Sequence, residues 1–201
     1  MGRVQAWVAG PGMGTGPDAV ARLTAILRTD LPVLVDADGL TIVSQHPGLL
    51  PRQAPTLITP HAGELARLLG TEAAAIEARR LEHARRAAGQ LGVTVLLKGS
   101  TTVVADRRGG PVFVNPTGTP WLATAGTGDV LSGLAGALLA QGLAPAEAGI
   151  TAAYLHGLAA RLAAAGPAWP AGAAAEVGEA PIGAHDVITA LPAAIRAVAA
   201  A

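Results

Sequence analysis

The chain has 201 residues, 51% of them hydrophobic and 14% charged, and no cysteine. This composition excludes a disordered tail, a disulfide scaffold, a thiolate zinc site and a cysteine nucleophile. Lysine plus arginine equals aspartate plus glutamate at 14 each, and the aromatics are only three Trp, one Tyr and one Phe. Neither charge nor stacking then argues for a nucleic-acid partner.

In chain order, short β-branched runs alternate with alanine-rich helical stretches, which predicts βαβ units around a largely parallel sheet, in one domain over residues 1–201. Val4 to Ala9 is the first expected strand. A glycine-dense turn from Gly10 to Gly16 leads into a helix near Pro17 and Asp18, where proline and an acid both suit the first turn. Val33 to Val35 is the second strand and ends in Asp36-Ala37-Asp38. Thr56 to Thr59 is the third and ends in Pro60-His61-Ala62-Gly63-Glu64. Polar groups thus collect at strand C-terminal ends, where open α/β sheets bind ligands.

Glu72 to Leu91 reads as one amphipathic helix, with Ile76, Leu81, Ala84, Ala88 and Leu91 near one stripe and Arg79, Arg80, Glu82, Arg85 and Arg86 as a solvated face. Val93 to Leu97 follows as a buried strand reaching Lys98. Thr102 to Ala105 and Val112 to Val114, joined by Arg107-Arg108-Gly109-Gly110, form an antiparallel hairpin. Beyond a loop from Asn115 to Ala125, helices are expected from Gly128 to Gln141, from Ala146 to Ala165 and from His185 onward. Pro167 to Gly183 reads as a mobile connection. The least charged stretch, Val130 to Ala146, is broken by Gln141, Gly142 and Pro145 and falls short of the ~20 apolar residues that span a bilayer. With no secretory-signal layout at Met1 to Pro11, the expectation is a cytoplasmic protein without a membrane partner.

The strongest local signal is Ala125-Gly126-Thr127-Gly128-Asp129 at the entrance of a helix. First-turn N–H groups there have no intrahelical partner and can hold an anion. A carboxylate beside such a nest makes sense if Asp129 accepts a proton from a hydroxyl attacking a phosphate; the competing reading is an aspartate N-cap. Lys98-Gly99-Ser100-Thr101-Thr102 supplies a cation, a glycine and hydroxyls suited to nucleotide phosphates or ribose, against a plain surface lysine. The Gly10 to Gly16 turn lacks the third glycine of the dinucleotide fingerprint, and reads equally as an anion cradle or a tight turn. His61 could hydrogen-bond a ligand, and Glu64 could hold a magnesium-bound water or complement a helix dipole. Asp36 and Asp38 offer a second acidic contact to metal or a strand end. His46, His83, His156 and His185 show no metal-ligand spacing, and no G-x-S-x-G elbow is present.

The order of these motifs resembles the ADP-dependent (S)-NAD(P)H-hydrate dehydratase family of the ribokinase-like superfamily. The resemblance is carried by Ala9 to Gly14, Val35 to Leu40, Thr59 to Glu64, Leu97 to Thr102 and Ala123 to Asp129, with Tyr154 to Ala159 and Asp186 to Pro192 as further matches. It implies a three-layer ribokinase-like α/β fold and repair of hydrated NADH or NADPH, in which ADP or ATP phosphorylates the ring hydroxyl and phosphate then departs. By resemblance, Lys98, Gly99, Ser100, Thr101, Thr102 and Gly128 contact the nucleotide. Gly12, His61 and Asp129 contact the hydrated dinucleotide. Asp129 is the base, and Gly126 and Gly128 donate backbone N–H groups to the transferring phosphoryl. Glu64 and Asp36 are candidates for organising Mg2+. Such enzymes also imply pairing with an NAD(P)H-hydrate epimerase.

The sequence departs from the family pattern at Ala62, where proline is usual, at Ala125 and Trp121, where glycine is usual, at Gly39 for alanine and at Thr119 for asparagine. Ala125 is expected to restrict the phosphate loop if that position needs a left-handed backbone. Family members carry a further strand and helix before the glycine turn, so the sheet is expected to lack an edge and the chain to form homo-oligomers.

Overall fold

The computed structural model describes residues 4–166 and 179–200. Six strands form one sheet in the order β1-β2-β3-β4-β5-β6. They are β1 (Trp7–Ala9), β2 (Val33–Val35), β3 (Thr56–Ile58), β4 (Thr94–Leu97), β5 (Thr102–Ala105) and β6 (Phe113–Asn115). The first four are parallel, with Val33 opposite both Trp7 and Thr56, and β5 and β6 each pair antiparallel. The sheet is therefore mostly parallel with an antiparallel hairpin over 102–115, as expected.

Sequential order among parallel strands has a consequence for the layers. Right-handed crossovers between neighbours that always step the same way put every connecting helix on the same face. That face carries α1 (Pro17–Leu27), α2 (Ala37–Gln45), α3 (Ala62–Leu69), α4 (Ala73–Ala78) and α5 (Arg80–Leu91). It is packed by Val33, Val35, Ile58, Val95 and Leu97 against Leu23, Leu40, Leu65, Ile76 and Ala84. The alternate side chains of the same strands, Leu34, Leu57 and Leu96, point the other way. They meet Leu131, Ala135, Leu139 and Ala152 of α6 (Thr127–Ala140) and α7 (Pro145–Ala165). The period of two along each strand thus divides one apolar run into two cores. A third cluster joins α7 to α8 (Ala184–Ala199) through Ala159, Ala160, Val187 and Ala194.

Small residues set the close approaches. A Cβ on Gly136 of α6 would overlap the Val8 side chain, and one on Gly157 of α7 would overlap Thr117.

Four expectations need correction, one being Leu81, placed on the apolar stripe but exposed in the structure. The first strand is shorter, beginning at Trp7 rather than Val4. The single helix over 72–91 is two, interrupted at Arg79, whose backbone (φ −142°, ψ 55°) leaves the helical region. Arg80 does not belong to the solvated face: its side chain is only 13% exposed. Of the connection expected over Pro167 to Gly183, residues 167–178 lie outside the described residues.

Candidate functional site

The segments that follow β3 and β4 and the entrance of α6 meet around a cavity of about 650 Å³. Its wall includes His61, Lys98, Gly99, Ser100, Thr102 and Gly128, all singled out in the sequence. Glu77, Thr119, Leu122, Thr127 and His156 also line it.

The entrance of α6 is built by backbone geometry. Gly126 is the N-cap in the left-handed region (φ 84°, ψ −13°) and has no side chain to cap the helix. Thr127 turns its hydroxyl back onto the chain, donating to the Leu122 and Thr124 carbonyls at 2.7 and 2.9 Å. The Asp129 N–H reaches the Gly126 carbonyl at 3.1 Å. Gly128, the second helical residue, has no carbonyl one turn back to receive its N–H, which leaves an unused donor at the cavity wall. Ala125 is accommodated without strain: the left-handed position is Gly126, and Ala37 (φ 46°) is the only non-glycine residue with positive φ among the described residues.

Opposite this entrance stands Lys98. A Cβ on Gly128 would lie 3.6 Å from its Nζ. The ammonium donates to Asp36 Oδ1 at 2.7 Å and lies 3.9 Å from Glu64 Oε2. Asp36, 1% exposed, also accepts from the Ser132 hydroxyl through Oδ2 at 2.7 Å. Both oxygens of this carboxylate are therefore engaged, which is the condition for a buried ion pair to be tolerated. A lysine ammonium and the positive end of a helix facing one another across a gap can hold an anion.

His61 and Glu64 form a capping box at α3. His61 Nδ1 accepts from the Gly63 and Glu64 N–H groups at 3.0 and 3.4 Å, while Glu64 Oε2 accepts from the His61 N–H at 2.7 Å. Accepting at Nδ1 puts the proton of a neutral imidazole on Nε2.

Other sequence-derived candidates lie off the cavity wall. Asp129 is solvent-exposed in the first turn of α6, next to Gly128 in the chain; the N-cap is Gly126, so the aspartate-cap reading does not hold. Gly12 is exposed at the turn after β1. Thr101 is partly buried, its carbonyl held by Arg80. Asp36 and Glu64 sit behind Lys98. Asp38 tethers the glycine turn, its Oδ2 accepting from the Gly14 N–H at 2.8 Å. Gly39 packs tightly: a Cβ there would lie 2.8 Å from Val35 Cγ1 and 3.0 Å from the Ala9 carbonyl oxygen. Trp121 turns away to the α7–α8 cluster and donates to Glu179 Oε2 at 2.9 Å, while Pro120 and Leu122 face the cavity.

Two wall residues, His156 and Thr119, are named in the sequence without a role at the site. His156 is buried, and desolvation pushes its pKa down to about 4 despite a backbone hydrogen bond at Thr127. It is therefore neutral at physiological pH. Its Nε2 and the Thr119 hydroxyl are buried without a partner among the described residues. No spacing signal marks His156, because α7 is apolar nearly all round and its buried face is not distinguished by pattern.

No helix among the described residues is long and apolar enough to cross a membrane.

Comparison with known proteins bears on this site. A family model described as NAD(P)H-hydrate dehydratase matches residues 1–180. The chain is 56% identical over 167 residues to a bifunctional NAD(P)H-hydrate repair enzyme, Nnr, of Mycobacterium leprae, covering 83% of this chain and 34% of that one. It is 48% identical over 162 residues to an ADP-dependent (S)-NAD(P)H-hydrate dehydratase of Neisseria meningitidis serogroup B, covering 78% and 54%. The chain thus spans between a third and about half of these curated relatives. Its fold matches that of the Bacillus subtilis ADP/ATP-dependent NAD(P)H-hydrate dehydratase co-crystallised with ATP/Mg2+, with a TM-score of 0.77, 30% identity, and coverage of 98% of this chain and 66% of that one. With a ribokinase-like three-layer fold and this family match over most of its length, the chain belongs to the NAD(P)H-hydrate dehydratase family.

Proposed function

We propose that the chain dehydrates the S form of hydrated NADH and NADPH, using ADP or ATP as phosphoryl donor, and so returns damaged cofactor to the reduced pool. The observation that carries this reading is the cavity in which Lys98 faces Gly128 across the entrance of α6.

In this reading Lys98 to Thr102 hold the nucleotide, with the Lys98 ammonium and the Gly128 N–H drawing its terminal phosphoryl group to the helix entrance. The Gly126 and Gly128 backbone opposes the charge that develops during transfer, without reorganisation, because the left-handed cap already fixes the turn. Asp129 takes the proton of the ring hydroxyl as its oxygen bonds to the terminal phosphorus, the bond from that phosphorus to the bridging oxygen breaks, and the nucleotide leaves one phosphate shorter. Phosphate is then the leaving group: the C–O bond breaks with its electron pair going to the phosphate oxygen, and loss of a proton from the adjacent ring carbon to solvent re-forms the ring double bond. His61 and Gly12 orient the hydrated dinucleotide from the β3 and β1 sides of the helix entrance. Asp129 is suited to its role by lying outside the cavity wall that we assign to the nucleotide, in solvent where a second substrate can approach.

A magnesium ion carried by the nucleotide would neutralise charge on its phosphates. Asp36 does not fit direct ligation, since Lys98 and Ser132 occupy its two oxygens. Glu64 retains Oε1 for a metal-bound water, while its Oε2 serves the His61 N–H. We therefore assign Asp36 to holding Lys98 and Glu64 to the solvent shell of a nucleotide-borne ion.

The bifunctional name of the M. leprae relative supports pairing with an epimerase that supplies the S form. A cytoplasmic location and a homo-oligomeric state belong to the same reading.

The test is incubation of purified protein with hydrated NADH and ADP or ATP, following reduced nicotinamide by absorbance and released phosphate by assay. Both products should appear together in equal amounts. An alcohol stably phosphorylated with no reduced nicotinamide released would make the protein a small-molecule kinase instead.

A further inference from the structure

The Lys98–Thr101 segment is shaped by a residue on a different element. Arg80, the first residue of α5, sends one guanidinium nitrogen to the carbonyls of Leu97, Lys98 and Thr101 at 3.1, 3.0 and 3.1 Å. Its other terminal nitrogen donates to Glu77 at 2.8 Å, and Glu77 itself lines the cavity. Three carbonyl dipoles brought together on one side of a loop repel one another unless a cation sits among them, and here a mostly buried guanidinium does so.

The consequence for the loop follows from peptide planarity. With the Lys98 carbonyl directed at Arg80, the Gly99 N–H of the same peptide unit is directed away from the guanidinium. Gly99 is required for the same reason: a Cβ there would overlap the guanidinium group. The interruption of the helix at Arg79 is what lets α5 restart with Arg80 at its first position.

We infer that Arg80 is a positioning residue for nucleotide recognition: by gathering the carbonyls of the loop on its far side, it presents Gly99 and Ser100 to the cavity. The inference rests on the reading of Lys98–Thr102 as the nucleotide loop. Glu77 serves as the anchor that fixes the guanidinium fork.

The experiment compares wild type, Arg80→Ala and Arg80→Lys by calorimetric binding of ADP and, separately, of hydrated NADH, with melting temperature measured on each. Arg80→Ala should weaken ADP by about tenfold or more, the loss expected for one set of charged hydrogen bonds, and leave hydrated NADH within twofold. Arg80→Lys, which keeps the charge but loses the planar fork, should fall between, and millimolar guanidinium ion should recover part of the ADP affinity of Arg80→Ala. ADP affinity unchanged in a folded variant, or equal losses for both ligands, overturns the inference. Should Arg80→Ala fail to fold, Arg80→Lys decides on the same contrast: loss confined to ADP supports a positioning role, and no loss or a common loss overturns it. A wild-type protein that binds hydrated NADH but not ADP would instead remove the assignment of the loop itself, and the inference with it.

Discussion

The two glycine-rich turns of this molecule look alike in sequence and differ in what their glycines are for. In the turn after β1, Gly10 has φ 132° and a Cβ there would overlap the Asp36 carbonyl oxygen, so the residue is a point of backbone contact. The Met13 N–H returns to the Gly10 carbonyl and the Gly14 N–H to Asp38, which consumes donors a ligand would need. In the turn before α6, Gly126 caps the helix with no side-chain partner, and among the described residues a Cβ on Gly128 would meet only the Lys98 ammonium. A glycine turn can offer a ligand only those N–H groups that the fold has not already spent, and which ones are spent depends on partners distant in the sequence.

Asp36 links the two turns, its main chain against Gly10 and its carboxylate on Lys98 and on Ser132 of α6, and a side-chain substitution breaks only the second link. Asp36→Ala should destabilise the fold by about 3–5 kcal/mol, because it leaves a mostly buried ammonium facing only Glu64 at 3.9 Å; denaturant unfolding measures this. Gly10→Ala should cost about 3 kcal/mol or more by the same measurement, from overlap with the Asp36 carbonyl and a disallowed φ. Gly128→Ala sharpens the contrast. Its helical backbone accepts a methyl group, so stability should hardly change, while nucleotide affinity should fall by about tenfold as the methyl crowds the space before Lys98.

His156 gives a pH signature to the cavity wall. Its folded pKa lies below the ordinary 6.5, at about 4, so between these values the unfolded chain binds the extra proton and stability falls as pH falls. The loss should approach about 3 kcal/mol by pH 4 and be absent from His156→Leu, when the two proteins are compared by unfolding across that range. The smallest effect is expected at Ala37, whose φ of 46° a glycine would adopt freely: Ala37→Gly should raise stability by up to about 1 kcal/mol.

Local patterns made much of the scaffold legible. The apolar run Val33 to Val35 is β2 to the residue, and the hairpin followed from two β-branched runs around Arg107 to Gly110. The glycine signature at 126–128 located the entrance of α6 because orphan helix donors are a local property. Arg80 was misread because periodicity records only that a residue lies off the apolar stripe; its partners are 17 to 21 positions away. The break at Arg79 carries no glycine or proline to announce it. Asp36 offered metal or strand end as readings, and its actual partners, Lys98 and Ser132, lie 62 and 96 positions on.

The central claim is that the entrance of α6 holds a phosphoryl group while Asp129 takes the proton of the hydroxyl that receives it. Asp129→Asn keeps size and hydrogen bonding but cannot accept that proton, so the most direct measurement is its turnover of hydrated NADH at saturating ADP beside its ADP affinity. The account predicts a fall in kcat of at least about 100-fold with ADP affinity within a few-fold of wild type. Turnover comparable to wild type would contradict it.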